Sequence, residues 1–341
     1  MLMITSLTIE NFRGIMELKL NNLGQVNVIA GKNNAGKSSV LEGLSLLLGA
    51  FGGIQSFRSL LQEILMWRGW YGPQAVEDLF HIGAEFVRIE AVQNGIPWIL
   101  TLKKEVKGIN ALPTFHIVLR EVDEKSPKLD TGFQMHNLVD SSVLSSFLLS
   151  SKFDPNLNFE FVTPFTLRKF GYVESLYSYA YEKKVVKDSL RILREAYPEV
   201  EGFSPLFKAN KWILHVETEY GVYPYYLMGE GFKNAMIIAF LSSLLRGGYL
   251  LIDSAEAFHH PKSLRVIAKT LLKGAKENNV QVFLTTHSLE LMDLLLSEGL
   301  KKNIDGRVIY MRREDGDVKA SIETFEESRE LRETLGVDLR G

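Results

Sequence analysis

The first fifty residues alternate apolar and polar positions in a way that predicts strands followed by a helix. Ile4–Ile9 and Met16–Leu20 carry the two-residue alternation of strands that have one face on a core. Val26–Ala30 is almost wholly apolar and runs into a glycine, which indicates a strand buried on both faces. A helix is predicted from about Lys37, because apolar residues recur at helical spacing over residues 40–47.

The next part of the chain has the pattern of an antiparallel meander. Phe86–Val92, Trp98–Lys103 and Thr114–Arg120 are rich in β-branched and aromatic residues. The dipeptides Asn94-Gly95 and Lys107-Gly108 separate them and predict tight turns.

The middle of the chain is less regular. Residues 121–160 are polar and mixed, and no element is predicted there. Residues 173–197 interleave apolar and charged positions and predict two helices, and Trp212–Glu217 and Val222–Leu227 predict two further strands.

The last 115 residues return to alternating helices and strands. The predicted elements are a helix at Phe232–Leu245, a strand at Tyr249–Ile252, a helix at Lys262–Lys276, a strand at Gln281–Leu284, a helix from Leu289, and a hairpin of Arg307–Met311 with Val318–Ile322. Because strands that alternate with helices form parallel sheets, we predict an α/β fold. Its parallel core is made from both ends of the chain, with the middle inserted.

Composition narrows the class of protein without identifying it. The chain has 341 residues, 46% hydrophobic and 23% charged, with a formal net charge of -2, which excludes a generally basic protein that coats nucleic acid. There is no cysteine, so disulfides and thiolate metal sites are excluded. No apolar run approaches the ~18 residues of a membrane span, and no signal peptide pattern is present, so we expect a cytoplasmic protein without a membrane partner.

A glycine-rich segment between the predicted buried strand and the first helix matches a phosphate-binding loop. Residues 31–38 read Gly-Lys-Asn-Asn-Ala-Gly-Lys-Ser, the pattern G-x-x-x-x-G-K-[ST]. Glycines let backbone N–H groups curve around phosphate oxygens, and the helix that follows points its positive end at the anion. Lys37 would contact the β- and γ-phosphates, and the Ser38 hydroxyl would coordinate Mg²⁺.

Two later segments complete the predicted site. Asp253 ends an apolar strand, and an acid at the carboxyl end of a buried parallel strand lies where ligands bind in open α/β sheets. We therefore predict that Asp253 holds Mg²⁺ through a water or through Ser38. Thr285-Thr286-His287-Ser288 follows the next strand, and His287 is a candidate sensor of the γ-phosphate.

The order of five motifs resembles the SMC-like ABC ATPases, and most closely their OLD-type and RecF-like members. These motifs are Ile9-Glu-Asn-Phe-Arg-Gly14, the loop at residues 31–39, Met228-Gly-Glu-Gly-Phe-Lys233, the segment LLIDSAEAFHHP at residues 250–261, and TTHS at residues 285–288. The resemblance implies a P-loop NTPase of the ABC/SMC-head type that binds ATP and Mg²⁺, hydrolyses ATP and forms a homodimer on ATP. It also implies action on DNA or on a separate effector or nuclease subunit.

The resemblance also implies roles for individual residues. Arg13 is similar to the arginine that contacts nucleotide phosphate, and His287 to the switch histidine. Gly229, Glu230 and Gly231 resemble the signature motif, which caps the γ-phosphate of ATP held by the other subunit. In the loop, the residues implied in nucleotide contact are Gly31, Asn33, Asn34, Ala35, Gly36, Lys37, Ser38 and Ser39. From residue types alone, a simple strand–helix turn is preferred for Gly229–Gly231.

Two departures from the family pattern concern catalysis. The family usually has serine where Gly229 stands, and glutamate, the candidate base, where Ser254 stands. Glu256 matches a second acid of the family and becomes the candidate catalytic base. We expect hydrolysis with Lys37, Asp253, Glu256 and His287 as catalytic residues, and the alternative is an ATP-gated binding switch with little or no hydrolysis.

On this basis we divide the chain into three parts. Residues 1–120 form the N-terminal half of the ATPase head, residues 121–210 an inserted mixed or helical subdomain, and residues 211–341 the C-terminal half. Three glutamines are open candidates for the loop that contacts Mg²⁺ in relatives: Gln55, Gln62 and Gln74. We expect no long coiled-coil arms, because sustained heptads are missing, and no Toprim nuclease domain. His259 and His260 lack the spacing of a zinc site.

The basic residues between positions 161 and 195 allow two interpretations. Seven lysines and arginines are offset there by four acids, and four tyrosines lie among them. The pattern favours a solvated helical face over a nucleic-acid surface, and packing over base stacking for the tyrosines. The biological process is open between DNA repair, phage defence and a toxin–antitoxin operon.

Overall fold

Three sheets and two groups of helices are formed by the residues that the computed structural model describes. Those residues are 3–68, 73–105, 114–124, 126–134, 153–154, 156–169, 171–208, 210–257 and 261–335. The strands are β1 (Ile4–Phe12), β2 (Ile15–Asn21), β3 (Val26–Gly31), β4 (Phe86–Gln93), β5 (Ile96–Glu105), β6 (Thr114–Glu121), β7 (Leu129–Gln134), β8 (Phe159–Val162), β9 (Val200–Lys208), β10 (Lys211–Thr218), β11 (Gly221–Pro224), β12 (Tyr249–Ile252), β13 (Gln281–Thr285), β14 (Gly306–Glu314) and β15 (Asp317–Thr324).

The helices follow the predicted order and add two that were not predicted. They are α1 (Lys37–Phe51), α2 (Gly53–Trp67), α3 (Tyr172–Glu182), α4 (Val186–Leu193), α5 (Glu230–Leu244), α6 (Pro261–Asn278), α7 (Leu289–Lys301) and α8 (Phe325–Leu335), with 3₁₀ helices at Pro73–Leu79, Thr166–Arg168 and Tyr225–Leu227. The two additions are α2 and α8. Among the described residues, no helix combines the length and apolarity needed to cross a membrane.

A six-stranded sheet forms the centre of the molecule, in the order β15-β14-β3-β13-β12-β8. Neighbouring strands are parallel except for the β14–β15 hairpin. All six residues of β3 are buried, because Ile29 packs on one side of the sheet while Val26 and Val28 pack on the other. This confirms the parallel core predicted from both ends of the chain, and β8 extends it from the middle.

A second six-stranded sheet is antiparallel and packs with α1 and α2 over one face of the central sheet. Its order is β2-β1-β4-β5-β6-β7, so the predicted meander is confirmed and β7 extends it. Asn94 and Gly95 both have positive φ, 53° and 81°, as a tight hairpin turn requires. The turn predicted at Lys107-Gly108 lies outside the described residues.

The other face of the central sheet is covered by helices and by the small sheet β11-β10-β9. The predicted helix pair is confirmed as α3 and α4, which pack against α5. The strand predicted at Val222–Leu227 is wrong in its second half, where Tyr225–Leu227 forms a 3₁₀ helix. Pro224 has no N–H to donate to the ladder, which explains why the strand ends there.

The described elements of residues 121–210, the proposed inserted subdomain, belong to more than one layer of the fold. Strand β7 pairs with β6 of the antiparallel sheet, and β8 pairs with β12 of the central sheet. Helices α3 and α4 belong to the helical layer. The division of the chain at residues 120 and 210 stays a proposal.

A carboxyl group buried beside the edge strand β8 gives a test of the packing. The Tyr172 hydroxyl donates to Glu160 Oε1 at 2.7 Å. Burial, aided by the nearby Glu63 charge, raises the pKa of Glu160 from 4.5 to about 7. The folded state therefore holds a proton that the unfolded chain releases, so stability falls as pH rises from about 4.5 to about 7.

We expect Glu160→Gln to raise the free energy of unfolding at pH 8 by on the order of 2 kcal/mol. Near pH 4.5 the variant should differ little from the parent, because the carboxyl is protonated there in the folded state and about half protonated in the unfolded state. Urea denaturation at both pH values measures this, with the exposed Glu182→Gln as control. An equal change at both pH values would contradict the assigned protonation.

Candidate nucleotide-binding site

The loop at residues 31–38 has the backbone shape that a phosphate site needs. It leaves β3 at Gly31 and enters α1 at Lys37. Asn34 and Gly36 have φ of 64° and 86°, in the left-handed region. Gly31 has φ of 146°, and a Cβ there would lie 2.1 Å from the Met311 carbonyl oxygen on β14, so only glycine fits.

The start of α1 is open for an anion. Its N-cap is Gly36, no side chain caps the helix, and its first turn contains no acidic residue. The first N–H groups of a helix have no partner within the helix, and they carry the positive end of its dipole. Phosphate oxygens satisfy both features at once.

Lys37 is held in place beneath the loop. Its side chain is buried, and Nζ donates to the carbonyl oxygens of Gly31 at 2.7 Å and Lys32 at 2.8 Å. Burial lowers the pKa of Lys37, and the negative charges of Glu256 and Asp253 oppose that shift. The ammonium group therefore lies where these carboxylates and the loop converge.

Asp253 joins the loop to the ends of two neighbouring strands. It follows β12, and its Oδ1 accepts hydrogen bonds from Ser38 Oγ at 2.8 Å and Thr285 Oγ1 at 2.6 Å. Thr285 ends β13, which pairs with both β12 and β3. Sequence reasoning predicted Ser38 and Asp253 to lie together, and the structure brings them into direct contact.

The oxygen atoms of this cluster suit Mg²⁺. A carboxylate and a hydroxyl are hard ligands, and Mg²⁺ takes few protein ligands beside phosphate and water. Among the described residues, no three His, Cys, Asp or Glu side chains form a metal cluster of their own. Ser38 and Asp253 thus fit a metal that is bound together with a nucleotide.

Glu256 and His287 meet across the same edge of the sheet. The backbone N–H of His287 donates to Glu256 Oε1 at 2.9 Å. Glu256 Oε2 is shielded and has no hydrogen-bond partner among the described residues. Ser254, at the position of the usual glutamate, has φ of 54° and donates its N–H to Thr285 Oγ1 at 2.8 Å. The turn after β12 therefore directs the carboxylate of Glu256 toward His287.

The surroundings of His287 favour its neutral form. Burial lowers its pKa, the positive charge of Lys37 lowers it further, and the charges of Glu256 and Asp253 oppose this only in part. A neutral imidazole can donate one hydrogen bond to a phosphate oxygen without a full charge.

An open groove of about 850 Å³ runs along the loop. Its lining residues are Gly14, Asn33, Asn34, Ala35, Gly36, Lys37, Ser38, Ser39, Arg68, His287 and Arg313. Sequence reasoning missed Arg68, which caps the carboxyl end of α2, and Arg313, which lies on β14. The signal for Arg313 was its place near the carboxyl end of a predicted strand, where ligands bind in such sheets. No comparable pattern pointed to Arg68.

Arg13 lies beside the groove but is not part of its lining. Its Nε is 2.7 Å from Oε2 of Glu42, a fully buried residue of α1, and Arg68 Nε contacts the other oxygen of Glu42 at 2.6 Å. The phosphate contact implied for Arg13 stays a prediction.

The signature-like segment lies at the start of α5, outside the groove. Gly229 caps this helix without a side-chain cap, and Glu230 forms an ion pair with Lys233. A Cβ on Gly231 would lie 2.5 Å from the Ser263 side chain, so packing against α6 explains that glycine. A Cβ on Gly229 would meet nothing within 4 Å, so packing does not explain that one.

Two other sequence predictions concern the surroundings of the site. Gln55 and Gln62 lie on α2 and neither lines the groove, while the Gln74 side chain lies outside the described residues. His259 and His260 are also outside the described part of the chain.

The basic residues at positions 161–195 divide into two groups: some are engaged within the protein, while Lys183, Lys184 and Lys187 are exposed to solvent. Lys169 pairs with Glu63 at 2.6 Å in a buried contact, and Arg191 pairs with Asp188 and Glu277. Tyr177 packs against the rings of Phe203 and Phe240. This agrees with a helical face and packed tyrosines more than with a nucleic-acid surface.

Comparison with protein families gives one match that covers most of the chain. Residues 26–293 match the AAA_21 family, described as "AAA domain, putative AbiEii toxin, Type IV TA system". The matched range contains the loop, the signature-like segment, Asp253 and His287.

Individual relatives are similar at very different levels. The protein MJECL10 of Methanocaldococcus jannaschii is 48% identical over 217 residues, which are 63% of this chain and 95% of that protein. The OLD nuclease of Thermus scotoductus is 23% identical, with 92% of this chain covering 65% of that protein. The ATP/GTP phosphatase of Helicobacter pylori is 22% identical, with 86% and 87% covered.

Among solved structures, the Smc head domain of Pyrococcus furiosus, with an extended coiled coil and bound to the C-terminal domain of ScpA, has the same fold. The TM-score is 0.58 at 12% identity, over 99% of this chain and 100% of that one. The P-loop ATPase fold of the SMC-head type is therefore confirmed for this chain.

Proposed function

The chain belongs to the AAA_21 family of AAA domains, and from that premise we propose that it binds ATP with Mg²⁺ in the groove along residues 31–39 and hydrolyses it. One observation carries the proposal. Asp253 Oδ1 accepts hydrogen bonds from Ser38, which lies in the first turn of α1 directly after the phosphate-binding loop, and from Thr285 at the end of β13. A carboxylate and a hydroxyl that meet beside a phosphate-binding loop support a site for a nucleotide–metal complex.

Each residue of the cluster has a separate task in phosphoryl transfer. Lys37 and the N–H groups at the start of α1 stabilise negative charge on the β- and γ-phosphates. His287 donates a hydrogen bond to a γ-phosphate oxygen. Ser38 and Asp253 would hold Mg²⁺, which neutralises charge on the phosphates when it is bound.

Glu256 is the proposed base. Its Oε1 already accepts the backbone N–H of His287, while the shielded Oε2 has no hydrogen-bond partner among the described residues. We propose that Oε2 accepts the hydrogen bond of the attacking water. The oxygen of the water bonds to the γ-phosphorus while the bond between the γ-phosphorus and the β–γ bridging oxygen breaks. Glu256 takes the proton that the water loses.

The second candidate function is an ATP-gated binding switch with little hydrolysis. It is favoured by Ser254, which cannot act as a base at the position where the family usually has glutamate. The two functions share the site and differ only in the turnover that Glu256 supports.

The signature-like segment motivates the proposed homodimer. Gly229 lies at an uncapped helix N-terminus, is exposed, and is not required by packing. A glycine-led helix start is an anion site, yet this one does not line the groove of its own chain. It would complete the ATP site of a second copy.

We expect ATP or a non-hydrolysable analogue with Mg²⁺ to shift the mass from 38.6 kDa toward twice that value. Light scattering of the Glu256→Gln variant with bound analogue measures this. Gly229→Asp should keep ATP binding but abolish the shift, because its carboxylate repels the γ-phosphate of the partner. An unchanged mass in Glu256→Gln with the analogue bound would contradict the proposed homodimer.

The proposed dimer acts on DNA or on a separate effector or nuclease subunit. An OLD nuclease is among the relatives, and the similar Smc head is bound to ScpA, so both kinds of partner have a parallel. The description of the AAA_21 family favours the toxin–antitoxin setting among the processes left open.

A further inference from the structure

Arg313 is the one groove-lining arginine that the proposed reaction does not use and that has no carboxylate partner among the described residues. Arg68, the other, contacts Glu42. Arg313 is exposed on β14 and donates to three backbone carbonyls from three segments: Asn34 O at 3.3 Å from Nε, Gly316 O at 2.8 Å from Nη1, and Gly14 O at 3.2 Å from Nη2. Its guanidinium is therefore fixed at the wall of the groove.

The strand order places Arg313 opposite the catalytic groups. The central sheet runs β14-β3-β13-β12, and the phosphate-binding loop leaves β3. His287 and Asp253 follow β13 and β12 on one side of the loop, whereas Arg313 lies on β14 on the other side. Met311 pairs with Gly31, the last residue of β3, so Arg313 extends two residues beyond it, alongside the loop.

This arrangement indicates on which side of the loop each end of a bound nucleotide would lie. The γ-phosphate belongs beside Lys37 and His287, so the remainder of the nucleotide leaves the loop toward Gly14 and Arg313. Three of the five N–H groups of Arg313 are already donated to carbonyls, and its planar faces are the larger surface left for recognition. A flat cation of this kind stacks on aromatic rings.

We propose that the face of the Arg313 guanidinium stacks on the purine base of the bound nucleotide. This inference rests on the proposed function, because it needs a nucleotide in the groove, and it names the group that recognises the base. Gly14 takes part by its lack of a side chain: a Cβ there would lie 2.6 Å from Arg313 Nη2. Gly14→Ala would therefore push the guanidinium away without removing it.

The test compares ATP with inorganic tripolyphosphate, which has the phosphates but no base, by calorimetric titration in Mg²⁺. We expect Arg313→Ala to weaken ATP binding about tenfold, from the loss of the cation that stacks on the base. Arg313→Lys should weaken it by a smaller factor of a few-fold, because lysine keeps the charge but lacks the planar face. Binding of tripolyphosphate should stay within about twofold of the parent, which also shows that the variants are folded. Gly14→Ala should weaken ATP in the same selective way by a smaller factor.

The neighbouring Arg312 is the matched control. It is exposed on the same strand, pairs with Glu314 and does not line the groove, so Arg312→Lys should bind both ligands like the parent. Unchanged ATP affinity in Arg313→Lys would overturn the stacking contact. A parallel loss of ATP and tripolyphosphate would also overturn it, because Arg313 would then only support the loop. A parent that binds neither ligand would instead contradict the proposed function itself.

Discussion

The Lys37→Ala variant is expected to lose ATP turnover by on the order of 10²–10³-fold and to bind ATP weakly or not at all. Lys37 is the buried cation that lies between the loop carbonyls and the charges of Glu256 and Asp253. Its removal deletes a charge-assisted contact with the phosphates and leaves these carboxylates to repel them. Phosphate release and equilibrium binding of ATP measure the two effects.

A matched control for this variant lies in the same loop. The Lys32 side chain is exposed, and only its backbone carbonyl contacts Lys37, so Lys32→Ala should keep most of the activity. If Lys37→Ala bound and turned over ATP like the parent, the groove along residues 31–39 would not be the nucleotide site.

The Glu256→Gln variant is expected to lower turnover at least tenfold, since the loss of a base costs roughly 10²–10⁴-fold, while ATP binding stays intact. Glutamine has the same shape, and its Oε1 can still accept the His287 N–H, so the turn after β12 should keep its geometry. Only the ability to take a proton from water is lost. Single-turnover rates and ATP affinity, measured side by side, separate the two properties.

Ser254→Glu supplies the opposite test. It restores the acid that the family usually has at this position, and we expect it to raise turnover. Suppose that Glu256→Gln is neutral and that the parent releases phosphate only at a trace rate. Enzymatic ATP hydrolysis would then be excluded as the function, and the chain would act as an ATP-gated binding switch.

The parts of the site that were predicted from sequence depend on short-range chemistry. The loop at residues 31–38 needs glycines and a following helix, and Asp253 needs only a buried strand before it, so both can be recognised within one window of the chain. Their contact through Ser38 followed from the rule that parallel strands end at one edge of a sheet. The same logic placed His287, although its contact with Glu256 was not foreseen.

The parts that were missed depend on contacts between distant segments. Strand β8 has four residues and is recognisable only once β12 lies beside it. The pairing of Arg13 and Arg68 with the buried Glu42 joins three elements, and none of the three residues has a local pattern that reveals a partner. Arg313 was missed because its place in the groove depends on β14 lying next to β3, and a predicted hairpin does not reveal that pairing.

The most direct test of the proposed function is phosphate release from ATP by the purified chain, in Mg²⁺ and in EDTA, with and without duplex DNA. We expect release that requires Mg²⁺ and is lost in Lys37→Ala. Failure of the parent to bind ATP in Mg²⁺, or release that persists unchanged in EDTA and in Lys37→Ala, would contradict it.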